Sequence, residues 1–176
     1  MTGHYTLAET ERTAASHLRD LDIDFAAQAA LSNLYRAANA TRKHFSSTVL
    51  KESDLTWTSF VVLWVVWMQD GLETRQAAAE AAISKATLTG VVKTLEGRGL
   101  IRRSGDEVDR RLVHLQLTDD GKALMEVLFP KFNQQEAHVV STMSKERLSE
   151  LTEGLRSIVT HLEAVEGAGD DDPRAG

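Results

Sequence analysis

The fold of this chain is decided by residues Ser84–Thr118, which read SKATLTGVVKTLEGRGLIRRSGDEVDRRLVHLQLT. Ser84 can cap a helix, and an amphipathic helix is predicted from Lys85 to Glu96 because apolar residues recur there at helical spacing. The predicted inner face consists of Leu88, Val91, Val92 and Leu95. Two alternating strands follow, joined by a loop that carries DEVDRR. The order of helix, strand, charged hairpin and strand predicts a winged helix.

The same stretch is a basic island in an acidic protein. It holds seven Lys and Arg residues against four Asp and Glu residues, a net charge of +3, whereas the chain of 176 residues has a formal net charge of -6. The basic residues are Lys85, Lys93, Arg98, Arg102, Arg103, Arg110 and Arg111. Such a concentration of positive charge favours a polyanion as the partner of one face.

The outward face of the predicted helix is small, hydroxylated or cationic. A surface of this kind fits the major groove of DNA, which is wide enough for one helix. The candidate DNA-binding residues of this helix are Ser84, Lys85, Ala86, Thr87, Thr89, Gly90 and Lys93.

The loop adds Asp109, Arg110 and Arg111 to the candidate DNA-binding residues. Asp109 and Arg111 share one side of an extended segment, so the carboxylate can hold the guanidinium in place. An ordered arginine at a hairpin tip suits the negative potential of a narrow minor groove. The alternative is a solvated charged loop with an incidental ion pair.

Residues from about Leu55 to Gly121 resemble the MarR family of transcriptional regulators. The matching segments, in the family's order, are LTWTSFVVLW, ISKATLTGVVKTLEGRGLI, DEVDRR and LQLTDDGKAL. The resemblance implies that the Ser84–Glu96 helix enters the major groove and that Arg111, steadied by Asp109, enters the minor groove. Two positions depart from the pattern: Gly90 replaces a common cationic residue, and Ala82 replaces a common turn glycine, a change that we expect to be harmless.

Composition and motifs limit which other classes of protein the chain could belong to. The longest uncharged apolar run, Phe60–Met68, has about half of the ~18 residues that a membrane span needs. The N-terminus lacks a signal-peptide pattern, and cysteine is absent, which together favour a cytoplasmic protein. No HExxH pair, GxSxG elbow or phosphate-binding glycine loop occurs, so we expect neither an enzyme nor a bound metal or cofactor.

The periodicity predicts a mainly α-helical chain with a small β-wing and long terminal helices. The predicted organisation is an N-terminal extension over 1–20, a dimerisation helix over 21–53, a winged helix-turn-helix lobe over 54–117, C-terminal dimerisation helices over 118–166 and a disordered acidic tail over 167–176. A bend is expected at Pro130, because proline cannot donate to the preceding turn.

The last helix carries a heptad stripe that predicts a homodimer. Its members are Leu148, Leu151, Leu155, Ile158, Leu162 and Val165. The alternative is an intramolecular bundle, although a palindromic DNA site also requires two-fold symmetry. The resemblance points the same way, because MarR proteins dimerise through their terminal helices.

A ligand site is a further hypothesis, which rests on the resemblance. The helix that begins near Trp57 lines a cleft in MarR proteins, and many members bind aromatic acids there. The candidate ligand-binding residues are Arg42, His44, Trp57, Phe60, Trp64 and Trp67. The stronger alternative is that this aromatic stripe is hydrophobic core.

Two functions therefore remain open. The preferred one is a sequence-specific DNA-binding regulator, a repressor that binds double-stranded DNA at a palindromic operator and responds to a small aromatic or phenolic ligand. The alternative is a winged-helix protein-interaction module without specific DNA binding.

Overall fold

The structure of the chain is a computed structural model. It describes residues 6–69, 71–105 and 112–170, without the side chains of 166–170. The chain divides into two compact units, Met1–Thr41 and Arg42–Gly176. Within the described residues, no helix is both long enough and apolar enough to cross a membrane.

The first unit contains helix α1 (Leu7–Leu18) and most of α2 (Phe25–Ser47). Thr6 caps α1, and its backbone N–H and hydroxyl donate to Glu9 at 2.7 and 2.8 Å, which lowers the pKa of that carboxyl. The Asp24 carboxylate accepts from two backbone N–H groups at the start of α2, both at 2.9 Å. An acidic or hydroxyl side chain thus accepts hydrogen bonds from backbone N–H groups at the N-terminus of each of these two helices.

The second unit holds the remaining described helices. They are α3 (Val49–Glu52), α4 (Trp57–Met68), α5 (Thr74–Glu80), α6 (Lys85–Gly97), α7 (Asp119–Val139) and α8 (Lys145–Asp170). Side chains of Thr56, Ser84 and Thr118 accept backbone hydrogen bonds at the N-termini of α4, α6 and α7. Helix α7 continues through Pro130, where a bend was expected.

The dimerisation helix predicted over 21–53 is divided at Thr48. Its φ and ψ of −113° and −105° lie outside the helical region, and its hydroxyl donates to His44 O at 2.7 Å. The chain resumes as the single turn of α3, which places Val49 and Leu50 in the core.

Three strands form an antiparallel sheet in the order β1-β3-β2. They are β1 (Leu72–Glu73), β2 (Ile101–Gly105) and β3 (Val113–Leu117). Pairing of Ile101 with Leu117 and of Leu72 with Leu115 places apolar residues of all three strands on one face. The hairpin was predicted, whereas β1 was not, because two residues are too few to show a period of two.

Helices α3, α5 and α6 end in the same way, with one residue in the left-handed region. These residues are Asp54 (φ +50°), Ala82 (φ +50°) and Gly99 (φ +69°). In each case the next backbone N–H donates to the carbonyl five residues back, as Leu100 N–H does to Leu95 O at 2.9 Å. Ala82 therefore has the backbone conformation of the glycine that it replaces, at a cost of about 1–2 kcal/mol for an L-residue, so the replacement is not free of strain.

The core of the second unit lies between α4, α6, α7 and the sheet. Its fully buried side chains include Leu50, Leu63, Leu95, Leu115 and Met125. Helix α8, in contrast, keeps its apolar stripe exposed within the single chain: Leu151, Leu155, Ile158, Leu162 and Val165 are 37–57% exposed. The helix continues to Asp170, past position 167 at which the disordered tail was expected to begin.

Candidate nucleic-acid interface

Helix α6 has one buried and one exposed face, as its period predicted. Leu88, Val92 and Leu95 are at most 3% exposed and anchor the helix in the core. The outward residues are all exposed: Ser84, Lys85, Ala86, Thr87, Thr89, Gly90 and Lys93. A Cβ added at Gly90 would meet nothing within 4 Å, so a partner can approach the helix backbone closely there.

Hydroxyl groups on this face are partly engaged with their own helix. Ser84 Oγ accepts from Thr87 N–H at 3.1 Å, and the Thr89 hydroxyl donates to Lys85 O at 2.8 Å. Because its proton is used in this way, Thr89 presents acceptor lone pairs and a methyl group outward.

Two arginines of the basic island have partners inside the protein. Arg103 Nη2 lies 3.3 Å from Glu96 Oε2, and Arg98 donates to backbone carbonyls 44 and 45 residues earlier in the chain. Arg98 and Arg103 are nevertheless exposed, as are Lys85, Lys93 and Arg102. The structure thus distinguishes Arg98 and Arg103, which bind groups of the protein itself, from the basic residues that are their neighbours in the sequence.

A surface pocket of about 330 Å³ lies beside α6, between α5 and the strands β2 and β3. It is lined by the cationic residues Arg75, Lys85 and Arg103, by Thr74 and Thr89, and by the apolar residues Leu88, Val92 and Val113. Arg75 and Thr74 were not among the sequence candidates, because they lie between the segments that carry the family resemblance and have no periodic signal of their own. The combination of cations and hydroxyls suits a phosphate group.

The candidate residues Asp109, Arg110 and Arg111 lie outside the described residues. The strands that carry the loop are described up to Gly105 and from Leu112. Gly105 pairs with Val113 at the end of the β2–β3 ladder.

The aromatic candidates for ligand binding pack against α7. Phe60 is 4% exposed and stacks on Phe132 with ring centroids 4.3 Å apart, and Trp64 stacks on Phe129 at 4.4 Å. Trp57 and Trp67 are partly buried against the same core. These contacts are those expected of hydrophobic core.

The polar ligand candidates lie at the end of α2. His44 is part-buried, with its Nε2 2.9 Å from Gln135 Oε1, while Arg42 is exposed and also has a polar partner. Among the described residues, no three His, Asp or Glu side chains are placed to hold a metal ion.

The C-terminal end of α6 meets the start of α7. The Thr118 hydroxyl donates to Gly99 O at 2.5 Å, and Thr118 N–H donates to Leu100 O at 3.1 Å. Gly121 packs so tightly that a Cβ there would lie 2.1 Å from Leu100 O. The glycine in the sequence TDDGK is therefore required by the close approach of two backbones.

A helix-turn-helix formed by α5 and α6, followed by the β2–β3 hairpin, defines a winged helix-turn-helix DNA-binding protein. The MarR family model matches residues 55–113. The HTH-type transcriptional regulator YwaE of Bacillus subtilis is 36% identical over 162 residues, which are 90% of this chain and 95% of YwaE. The chain belongs to the MarR family, and it is a transcriptional regulator rather than an enzyme.

Solved structures of family proteins have the same fold. BpsR of Bordetella bronchiseptica, whose DNA binding is regulated by 6-hydroxynicotinic acid, is 30% identical with a TM-score of 0.67; the match covers 73% of this chain and 96% of BpsR. Sco3205 of Streptomyces coelicolor, a MarR family regulator solved in complex with DNA, is 20% identical with a TM-score of 0.72; the match covers 80% of this chain and 93% of Sco3205.

Proposed function

We propose that the protein is a homodimeric repressor that reads a palindromic operator and releases it when a small aromatic acid binds. The observation that carries the proposal is the exposed face of α6, which combines small, hydroxylated and cationic side chains above a buried apolar anchor. This face fits the major groove without steric obstruction.

The side chains on the exposed face of α6 are proposed to have two different roles in DNA binding, according to their chemical groups. Ser84, Ala86, Thr87, Thr89 and Gly90 face the base edges or allow close approach to them. Thr89 then offers an acceptor to an adenine or cytosine amino group and its methyl group to a thymine methyl. In a separate role, Lys85 and Lys93 bind phosphates, which fix the position of the helix but carry no sequence information.

The pocket beside α6 supports a second phosphate contact. Arg75, Lys85 and Arg103 would surround one backbone phosphate, with Thr74 as an additional donor. Beyond the described residues, Arg111 is proposed to enter the minor groove, with Asp109 fixing its guanidinium and Arg110 adding positive charge.

The exposed stripe of α8 supports the homodimer. Its apolar residues recur at intervals of three and four residues, and leaving them in water would be energetically costly. A second copy of the same helix would bury them symmetrically. Two recognition helices, about 34 Å apart, would then read two half-sites on one face of the duplex.

The proposed effector is a small aromatic acid, as 6-hydroxynicotinic acid is for BpsR. It would contact the partly buried Trp57, Trp64 and Trp67 together with Phe60, and Arg42 and His44 would exchange their present partners for its carboxylate. Because these rings already pack against α7, an acid that inserts there must alter that packing. A ligand that binds more tightly to a dimer with a different separation of the recognition helices shifts the population toward that dimer. Operator affinity then falls by an amount set by the difference in ligand affinity between the two states of the dimer.

One titration tests the proposal. A duplex selected by the protein from a randomised library is titrated at two salt concentrations, and then with 6-hydroxynicotinate or salicylate while tryptophan fluorescence is followed. We expect a steep loss of affinity with salt, because neutralised phosphates release counterions, and release of DNA as the fluorescence changes. Failure to enrich any duplex, with capture of a protein on the same face, would favour the alternative of a protein-interaction module.

A further inference from the structure

Arg98 is an exposed residue of the basic stretch, yet its guanidinium binds backbone carbonyls of the protein itself. Nη1 donates to Asp54 O at 2.5 Å and Nη2 donates to Ser53 O at 3.0 Å. Both acceptors are backbone carbonyls at the end of α3, and the planar guanidinium is suited to bind two acceptors at once.

The acceptors exist because of the way in which α3 ends. Asp54 has a φ of +50°, and the N–H groups of Asp54 and Leu55 donate back to Lys51 O and Leu50 O at 3.2 and 3.0 Å. This motif uses the last helical carbonyls, whereas the carbonyls of Ser53 and Asp54 lie past the helix end, where Arg98 donates to both.

Arg98 is also the residue that ends the recognition helix. It caps α6, and Gly99 and Leu100 directly after it are held by Thr118 at the start of α7. The end of α6 is therefore fixed to α3 through Arg98 and to α7 through Thr118. In the sequence, α3 follows α2 and α7 precedes α8, the two helices assigned to the proposed dimer.

We propose that Arg98 is a positioning residue that sets the orientation of the recognition helix relative to the α3–α4 turn, rather than a residue that contacts DNA. This inference rests on the proposed function, since orientation matters only if two recognition helices must match the spacing of two half-sites. Without the two hydrogen bonds, the outward face of α6 would keep the same chemical groups. The orientation of the helix, however, would vary more from one molecule to the next.

The test compares Arg98→Ala and Arg98→Lys with Lys93→Ala, on a duplex selected by the parent protein and on a random-sequence duplex of equal length. We expect Arg98→Ala to lose roughly ten-fold or more affinity for the selected duplex, and Arg98→Lys to lose several-fold although its charge is retained. Both should keep the parent's salt slope and its affinity for the random duplex. Lys93→Ala, as a phosphate contact, should lower the slope by about one per protomer.

The outcomes separate three explanations. If Arg98→Lys binds like the parent and Arg98→Ala lowers the salt slope, Arg98 contacts phosphate and the inference is wrong. If neither variant changes affinity for the selected duplex, the hydrogen bonds have no part in positioning, which also overturns it. A parent protein that selects no duplex refutes the proposed function and this inference with it.

Hydrogen exchange on the free protein supplies a readout that is independent of DNA. Arg98→Ala should accelerate exchange of the Gly99 and Leu100 amides while leaving the Val92 amide, in the middle of α6, protected. Equal acceleration of all three amides would mean that the whole helix has been destabilised, and a positioning role would be refuted.

Discussion

The close approach of α7 to the end of α6 gives the sharpest stability prediction. In Gly121→Ala the new Cβ would lie 2.1 Å from Leu100 O and 3.0 Å from Leu100 C. Both obstacles are backbone atoms, so no side chain can rotate away. Helix α7 would have to withdraw by about 1 Å to restore van der Waals contact, since interiors are close-packed.

That withdrawal affects a set of hydrogen bonds as well as packing. Thr118 N–H to Leu100 O (3.1 Å) and the Thr118 hydroxyl to Gly99 O (2.5 Å) would lengthen. Overpacking costs about 1–3 kcal/mol, and the two bonds contribute about 1 kcal/mol each. Replacing glycine by alanine in a helix stabilises the helix by about 1 kcal/mol, which offsets part of this loss. We expect a net loss of about 2–4 kcal/mol in the free energy of unfolding.

The assay is urea unfolding followed by tryptophan fluorescence and circular dichroism, at one fixed protein concentration because the proposed dimer makes stability concentration-dependent. The matched control is Gly90→Ala, where the added Cβ meets nothing within 4 Å. The control should be as stable as the parent or more stable by up to about 1 kcal/mol. A Gly121→Ala protein as stable as the control would refute the argument from backbone contact.

Four further variants test other parts of the molecule. Ala82→Gly should raise the free energy of unfolding by about 0.5–1 kcal/mol, because relief of the left-handed strain exceeds the added entropy of the unfolded chain; equal or lower stability in urea unfolding would contradict this. Removal of the chain from Ser144 onward should abolish the homodimer, and sedimentation of the full-length protein as a folded monomer would exclude α8 as the dimer contact. Arg111→Ala should reduce affinity for the selected duplex by two orders of magnitude or more, at about 1–3 kcal/mol for each of two wings. Asp109→Ala should also weaken binding although it removes a negative charge, and tighter binding in an anisotropy titration would count against a preordered wing.

Local features of the fold could be read from the sequence because their signals lie within a few residues. The cap of α6 at Ser84, for example, is confirmed. The buried face of α6 follows directly from the 3.6-residue period, since Leu88, Val92 and Leu95 must lie on one side of any helix they share. Membership of the MarR family likewise depended on the order and spacing of short motifs.

Contacts between distant segments had no such signal. Strand β1 forms only because Leu72 meets Leu115, and its two residues show no periodicity of their own. Arg98 looked like one more cation of a DNA-facing island, whereas its partners are carbonyls 44 and 45 residues away. A backbone carbonyl is present at every position, so nothing in the sequence marks which one an arginine will bind.

The sequence by itself determined which face of the recognition helix is exposed and which chemical groups it presents. The tertiary structure decided how that helix is held. Gly121 is indispensable only because α7 crosses the end of α6 at backbone contact distance, and Ala82 is strained only because α5 must end in a left-handed turn to bring α6 onto the core. Amphipathic patterns fix faces because they are local, whereas the orientation of a helix is set by a few close contacts between segments far apart in the chain.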